Sequence, residues 1–308
     1  MLYNLLPGNL FSVIFAGGTF FIAFFALKMF MRLLPKDQGR QFAVNGALSE
    51  GKPRGAGIIF ITAFIISAVL FIPLNSEHAV NLILIFAAMM TGYLDDASEK
   101  PWGELKKGLL DAVISFGISF NFVMNNGTDI FLFDRTFSVP KIVYVILGMI
   151  LVWASINVTN CSDGVDGLCA SLSVVTILMF NCFGQMRMFN VAMMLTLIAY
   201  LWYNASPSKL LMGDAGSRAI GVFIALTAMQ SRHPLMFVPL AAVLIIDGGL
   251  GLIKLTVRRV LKKKNFMDGL RTPIHDHMRK NKGWSDTQVV IRFSILQVVI
   301  GYLAIHLL

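Results

Sequence analysis

Residues 141–167 read KIVYVILGMILVWASINVTNCSDGVDG. The first part, 141–157, is apolar almost throughout, close to the roughly 20 residues a helix needs to cross a bilayer. It then turns polar at a fixed interval, with Asn157, Asn160, Asp163 and Asp166 at every third residue. Helical spacing puts such groups on roughly one face. Gly164 and Gly167 loosen the backbone there, so part of the run also reads as a loop. Ionisable groups at membrane depth are costly, and their default reading is functional. The competing reading is a hydrophilic stripe without chemistry.

The rest of the chain repeats this theme. Of 308 residues, 56% are apolar and 14% charged, with a mean hydropathy of +0.71. Soluble domains carry about 25% charged residues, so the fold class expected is an all-α integral membrane protein. Ten apolar stretches read as transmembrane helices: 9–34, 54–73, 79–95, 108–124, 141–157, 168–183, 188–204, 217–231, 235–257 and 287–307. The sixth is short and interrupted by polar residues. The loops are short and no repeat is visible, so a single polytopic domain over residues 1–308 is expected. The first stretch follows no basic n-region, which argues against a cleaved secretory signal. Cys161, Cys169 and Cys182 are odd in number and lie in or beside apolar segments. They read as buried thiols, not a disulfide framework.

The net charge of +9 would suggest nucleic acid in a soluble protein. Here the enrichment of lysine and arginine in cytoplasmic loops explains it, and no nucleic-acid partner is expected. With both termini outside, only Arg135, Lys141, Arg187 and Arg232 of the 26 basic residues fall on the outer side. That asymmetry sets the orientation. The outer segment from Asn125 to Pro140, with Asp134 and Arg135 flanked by β-formers, is expected to form a small hairpin.

In this topology the polar motifs converge on the cytoplasmic face. Asp95 and Asp96 end the third stretch, Asn204 ends the seventh, Asp214 opens the eighth and Asp247 lies in the ninth. Two acids at a helix C-terminus oppose the macrodipole and call for a cation, either a bound Mg²⁺ or Lys100, Lys106 and Lys107 nearby. Otherwise they cap a helix and wet the interface. The Met212–Ser217 segment offers glycines and helix N-terminal amides to an anion such as phosphate. Its Asp214 reads either as an ordinary N-cap or as a carboxylate that holds Mg²⁺ together with substrate phosphates. Thr272-Pro273-Ile274-His275-Asp276-His277-Met278 places two imidazoles in a basic loop. They suit a phosphate or sugar, while a zinc site lacks its third and fourth ligands. Arg258, Arg259 and Lys262 to Lys264 read as an anchor to anionic lipid.

These motifs, in this order, resemble the polyprenyl-phosphate N-acetylhexosamine-1-phosphate transferases over nearly the whole chain. The residues concerned are Gly92-Tyr93-Leu94-Asp95-Asp96, Asn157 through Gly167, Asn204, Met212 through Ser217, and the run from Thr272 to His277 continuing to Lys282-Gly283-Trp284 and Val290-Ile291-Arg292-Phe293. The last run is similar to the branch that carries an N-acetylmuramoyl-pentapeptide phosphate. The resemblance implies a Mg²⁺-dependent transfer from UDP-N-acetylmuramoyl-pentapeptide to undecaprenyl phosphate in a bacterial plasma membrane, giving lipid I and UMP. A homodimer is a further implication. Carried over by position, Asp95, Asp96, Asp214, His275 and His277 are implied as catalytic, with Asp214 and Asp163 as metal ligands. Asn157, Asn160, Asp163, Asp166, Asn204, Gly213, Lys106, Lys107 and Asp276 are implied in substrate binding.

The sequence also departs from that family. A triple histidine becomes His275-Asp276-His277, and a Thr-Pro-Thr-Met-Gly-Gly run becomes Lys52-Pro53-Arg54-Gly55-Ala56-Gly57. An upstream lysine is missing near Ser49, with Lys52 as the candidate substitute. An aromatic three residues before Asp214 is Leu211, and a glutamate in the ninth stretch is Asp247. A sister activity on UDP-N-acetylglucosamine is the alternative. A secondary transporter would show repeats and acids near the midplane, and neither is visible.

Overall fold

The computed structural model describes residues 7–37, 39, 49–98, 100, 102–133, 135–184 and 186–307. Each of the ten apolar stretches is helical. In chain order the helices are α1 (Gly8–Phe30), α2 (Gly57–Phe71), α3 (Ser76–Asp96), α4 (Glu104–Asn126), α5 (Lys141–Ser162), α6 (Leu168–Phe180), α7 (Arg187–Asn204) and α8 (Gly213–Gln230). A broken segment follows, with α9 (Phe237–Leu240), α10 (Ala242–Leu244), a π-turn (Ile245–Gly249) and α11 (Leu250–Val260). The cytoplasmic-loop candidate contains α12 (Ile274–Lys282), and α13 (Asp286–His306) closes the chain. The expected hairpin is present as β1 (Asp129–Leu132) paired antiparallel with β2 (Arg135–Ser138). Asp134 of that segment lies outside the described residues.

Among the described residues, five helices are long and apolar enough to cross a membrane, or six if the bent pair Pro234–Leu240 and Ala242–Val260 counts as one span. The reason the others fall short is clearest in α8. Every α8 residue except Asp214 is buried, because α2, α3, α5 and α6 pack around it. A helix sheathed by protein needs no lipid-facing surface and can carry Asp214, Arg218 and Gln230. Two glycines let this core assemble. A Cβ on Gly92 would lie 2.3 Å from the Asp214 carbonyl oxygen, and one on Gly57 would lie 2.0 Å from the Gly216 nitrogen.

Inside the bundle, Arg218 on α8 pairs with Asp111 on α4, and both side chains are buried. At the far end from the acid motifs, Glu77 accepts hydrogen bonds from Gln230 and Asn126, tying α3, α8 and α4 together. The ninth stretch is not one straight helix. It bends by 70°, and below the bend a π-turn aims Asp247 inward, fully buried. Such π-turns inside α-helices recur at functional sites.

A candidate active site at one end of the bundle

The C-terminus of α3 and the N-terminus of α8 meet head-on. Asp96 Oδ2 accepts the Asp214 N–H at 2.7 Å. Asp96 therefore caps α8 from another helix, where a carboxylate also complements the positive end of the helix dipole. Gly213, in the left-handed region at φ 72°, makes this contact possible. A Cβ there would lie 2.4 Å from Asp96 Oδ2. Asp214 is thus not an ordinary N-cap, because α8 carries no side-chain cap of its own.

Two cations face these acids. Lys107, on the first turns of α4, pairs with Asp95 and lies 3.8 Å from Asp214 Oδ2. The other oxygen of Asp95 accepts the Trp102 N–H at 2.8 Å. Arg54 places one terminal nitrogen 2.9 Å from Asp96 Oδ1 and 4.0 Å from Asp214 Oδ1. Its second terminal nitrogen is 3.2 Å from Asp37. Burial works against the Arg54 charge, but Asp96, Asp214 and Asp37 outweigh it and hold the guanidinium above its ordinary pKa. Both oxygens of Asp95 and of Asp96 are thus engaged at close range. Among the described residues Asp214 has only the two longer ion pairs, which leaves its carboxylate the most available of the three.

The expected polar row of α5 does not share one face, because α5 stops at Ser162 and the chain turns. Asn157 donates back to the Trp153 carbonyl, and Asn160 donates to Ser217 Oγ at 3.1 Å on α8. Asp163 closes the helix as its C-cap. Asp166 accepts the Ser208 N–H at 2.9 Å and lies 3.7 Å from Lys52 Nζ. Lys52 also donates to Ser208 Oγ at 3.0 Å, so the candidate substitute lysine bridges Asp166 and Ser208. Asn204 accepts the Gly167 N–H and donates to the Leu210 carbonyl. Buried and bonded at both ends of its amide, Asn204 braces the loop from within. Lys106 lies over the Trp102 ring at 3.3 Å, apart from the ion pairs of its neighbour Lys107.

The histidine loop docks onto the same turn. Asp247 accepts the His275 backbone N–H at 2.7 Å and contacts its Nδ1 at 2.8 Å. With Nδ1 held, Nε2 points at Gly164, where a Cβ would lie only 2.3 Å away. His277 Nδ1 lies 3.3 Å from the Arg271 backbone nitrogen. Asp276 is 3.5 Å from Arg279, which pairs in turn with Asp286 at 2.7 Å. Asp96, Asp214 and Lys107 are thus joined by direct contacts, and His275 packs against the adjoining turn at Gly164.

Sequence reasoning missed Arg54, which stood in the segment read as a loss, and the pair Asp111–Arg218. An acid in the fourth stretch and a base in the eighth were the signal for that pair, since ions within a membrane pair with one another.

The model of glycosyl transferase family 4 matches residues 78–232. A phospho-N-acetylmuramoyl-pentapeptide-transferase of Treponema pallidum is 36% identical over 318 residues, covering 94% of this chain and 86% of the relative. The chain belongs to this family. Transferases of the same name from Helicobacter pylori and Clostridium acetobutylicum are each 28% identical, covering 99% of this chain and 98% of their own length. The family match spans Asp95, Asp96, Asp163, Asp166, Asn204 and Asp214, while Arg54 and the histidine loop lie outside its bounds.

The donor set suits Mg²⁺. Among the described residues no group of three or more His, Cys, Asp and Glu is arranged to hold a metal. Asp214 offers hard carboxylate oxygens, the donor type that Mg²⁺ takes together with substrate phosphates.

Proposed function

We propose that the protein transfers phospho-N-acetylmuramoyl-pentapeptide from its UDP carrier to undecaprenyl phosphate, giving lipid I and UMP. The convergence of Asp95, Asp96 and Asp214 with Lys107 and Arg54 at one end of the bundle carries this reading. A phosphate oxygen of the lipid attacks the phosphorus next to the sugar. A new P–O bond forms to the lipid phosphate as the P–O bond to the UMP oxygen breaks, and UMP leaves with the electron pair. Both partners are anions, so catalysis rests on neutralising charge and holding an in-line geometry. Bound Mg²⁺ would supply Lewis-acid neutralisation of the phosphates.

Asp214 and Asp163 would hold that ion. Lys107, positioned by Asp95, lies ready for a phosphate oxygen. Asp96 fixes the start of α8 and so orients Asp214. The acceptor phosphate is already ionised near neutral pH, and Asp95 has both oxygens engaged, so Asp95 acts as a positioning residue and not as a base. His275, braced by Asp247, presents Nε2 toward the Asp163–Asp166 turn, where it would accept from a sugar hydroxyl or, as the imidazolium, donate to the diphosphate. Lys52 and Asp166 lie on the nucleotide side. In this reading ten helices cross a bacterial plasma membrane, both termini lie outside and the site faces the cytoplasm. The protein forms a homodimer, as the sequence resemblance implies.

The test is UMP release by purified protein with undecaprenyl phosphate, Mg²⁺ and either UDP-N-acetylmuramoyl-pentapeptide or UDP-N-acetylglucosamine. Turnover confined to the pentapeptide donor supports the assignment. Turnover confined to UDP-N-acetylglucosamine refutes it and establishes the sister activity.

A further inference from the structure

We infer that Arg54 is a phosphate-binding residue of the donor site, parked on the carboxylates until donor and cation arrive. The inference rests on the transferase reading above and concerns a position where this chain departs from its family's sequence. The backbone around Arg54 is pinned. Its N–H donates to the Pro35 carbonyl at 2.8 Å, and the Leu211 N–H donates to the Pro53 carbonyl at 2.8 Å. The Ala56 N–H closes the stitch onto the Leu211 carbonyl at 3.0 Å. This short ladder fixes Cα three residues ahead of Asp214 in space, so any movement of the charge belongs to the side chain.

The guanidinium is incompletely satisfied where it rests. Its terminal nitrogens reach Asp96 and Asp37, while Nε is buried and has no hydrogen-bond partner among the described residues. An unmade hydrogen bond of this kind is costly and marks a resting position short of the best one available. The electrostatics point the same way. Arg54 offsets the repulsion between Asp96 and Asp214, and a divalent cation on Asp214 would take over that task. With the cation present, the guanidinium at 4.0 Å is repelled from Asp214. Phosphate oxygens brought by the donor offer the planar fork a matched, two-point partner. Lys107 does not duplicate this role, because its ammonium is a point charge without the planar two-point fork.

The experiment uses the full chain in detergent, with Arg54→Gln and Arg54→Lys. Binding of UDP-N-acetylmuramoyl-pentapeptide and of uridine is measured by calorimetry, and Mg²⁺ binding by the midpoint of its effect on thermal unfolding. Arg54→Gln is expected to weaken donor binding by about tenfold or more while leaving uridine binding unchanged. The Mg²⁺ midpoint falls, because the competing cation is gone. Arg54→Lys keeps the charge without the fork and is expected to lose about fivefold in donor affinity. Donor and uridine weakening in parallel would reduce Arg54 to a structural part and overturn the inference. So would donor affinity and a Mg²⁺ midpoint in both variants equal to those of the parent protein. Where Arg54→Gln does not fold, Arg54→Lys decides on the same criteria. A parent protein that binds no pentapeptide donor would sink the transferase reading, and this inference with it. Normal parent binding with unaffected variants sinks the inference alone.

Discussion

Replacing Gly164 by alanine tests whether His275 is held against the Asp163–Asp166 turn. The added Cβ would fall 2.3 Å from His275 Nε2 and 2.8 Å from Cε1, whereas ordinary contact begins at 3.4 Å. Gly164 is not among the positive-φ glycines, so the alanine backbone fits and the whole effect comes from the clash. The imidazole has nowhere to go. It is 2% exposed, its Nδ1 is 2.8 Å from Asp247, and its own backbone N–H is held by the same carboxylate at 2.7 Å. Ring and turn must therefore part by about 1 Å, a displacement that can cost about 100-fold in rate when it misplaces a catalytic group. Overpacking of this size destabilises by about 1–3 kcal/mol, so the variant is expected to fold. Gly108→Ala is the control, since its Cβ meets nothing within 4 Å among the described residues. Alanine is the better helix former by about 0.5–1 kcal/mol, so Gly108→Ala should match or slightly exceed the parent in stability and match it in rate. The assay is the initial rate of UMP release at saturating substrates, with thermal unfolding alongside. A Gly164→Ala rate within about threefold of the parent would refute a rigid His275 that acts on the Asp163–Asp166 turn.

Three further outcomes follow from the same geometry. Asp214→Asn is expected to fold normally and to lose about 1000-fold in turnover, several kcal/mol of transition-state stabilisation; near-parental UMP release would remove Asp214 from the metal site. Asp111→Leu or Arg218→Leu alone leaves a buried charge unpaired and should cost about 3–5 kcal/mol, while the double variant regains most of that loss. A double variant no better than the singles in thermal unfolding would contradict the pairing. Asp96→Asn keeps an acceptor for the Asp214 N–H, whereas Asp96→Ala removes it, so the alanine variant should be the less stable by about 1 kcal/mol and both should lose activity. Equal stability would show that Asp96 does not cap α8.

Much of the architecture was legible because long apolar runs mark helices buried in a membrane or in the bundle. The apolar stretches, the hairpin and the convergence of Asp95, Asp96, Asp163 and Asp214 follow from run lengths and from where the polar residues interrupt them. What stayed hidden depended on partners far away in sequence. Asp96 reads as an acid at the wrong end of its own helix, and only the approach of α8 turns it into a cap. Asn204 reads as a ligand-facing amide, yet both ends of that amide hold backbone. The even spacing from Asn157 to Asp166 suggested one face, but the turn after Ser162 sends Asn160 to α8 and Asp166 to Ser208.

The departures from the family sequence make joint sense when charge is followed instead of residue type. Replacing an imidazole by a carboxylate at Asp276 adds a negative group beside His275, and Arg279 answers it from the next turn of the same helix. Arg279 also pairs with Asp286 at the start of α13, which ties α12 to α13. On the opposite side, the segment that lacks the family's threonines supplies Lys52 to Asp166 and Arg54 to Asp96. A site that must bring two phosphate anions together needs cations in reach of both. Here they come from Lys107 on α4 and from Lys52 and Arg54 in the chain just ahead of α2.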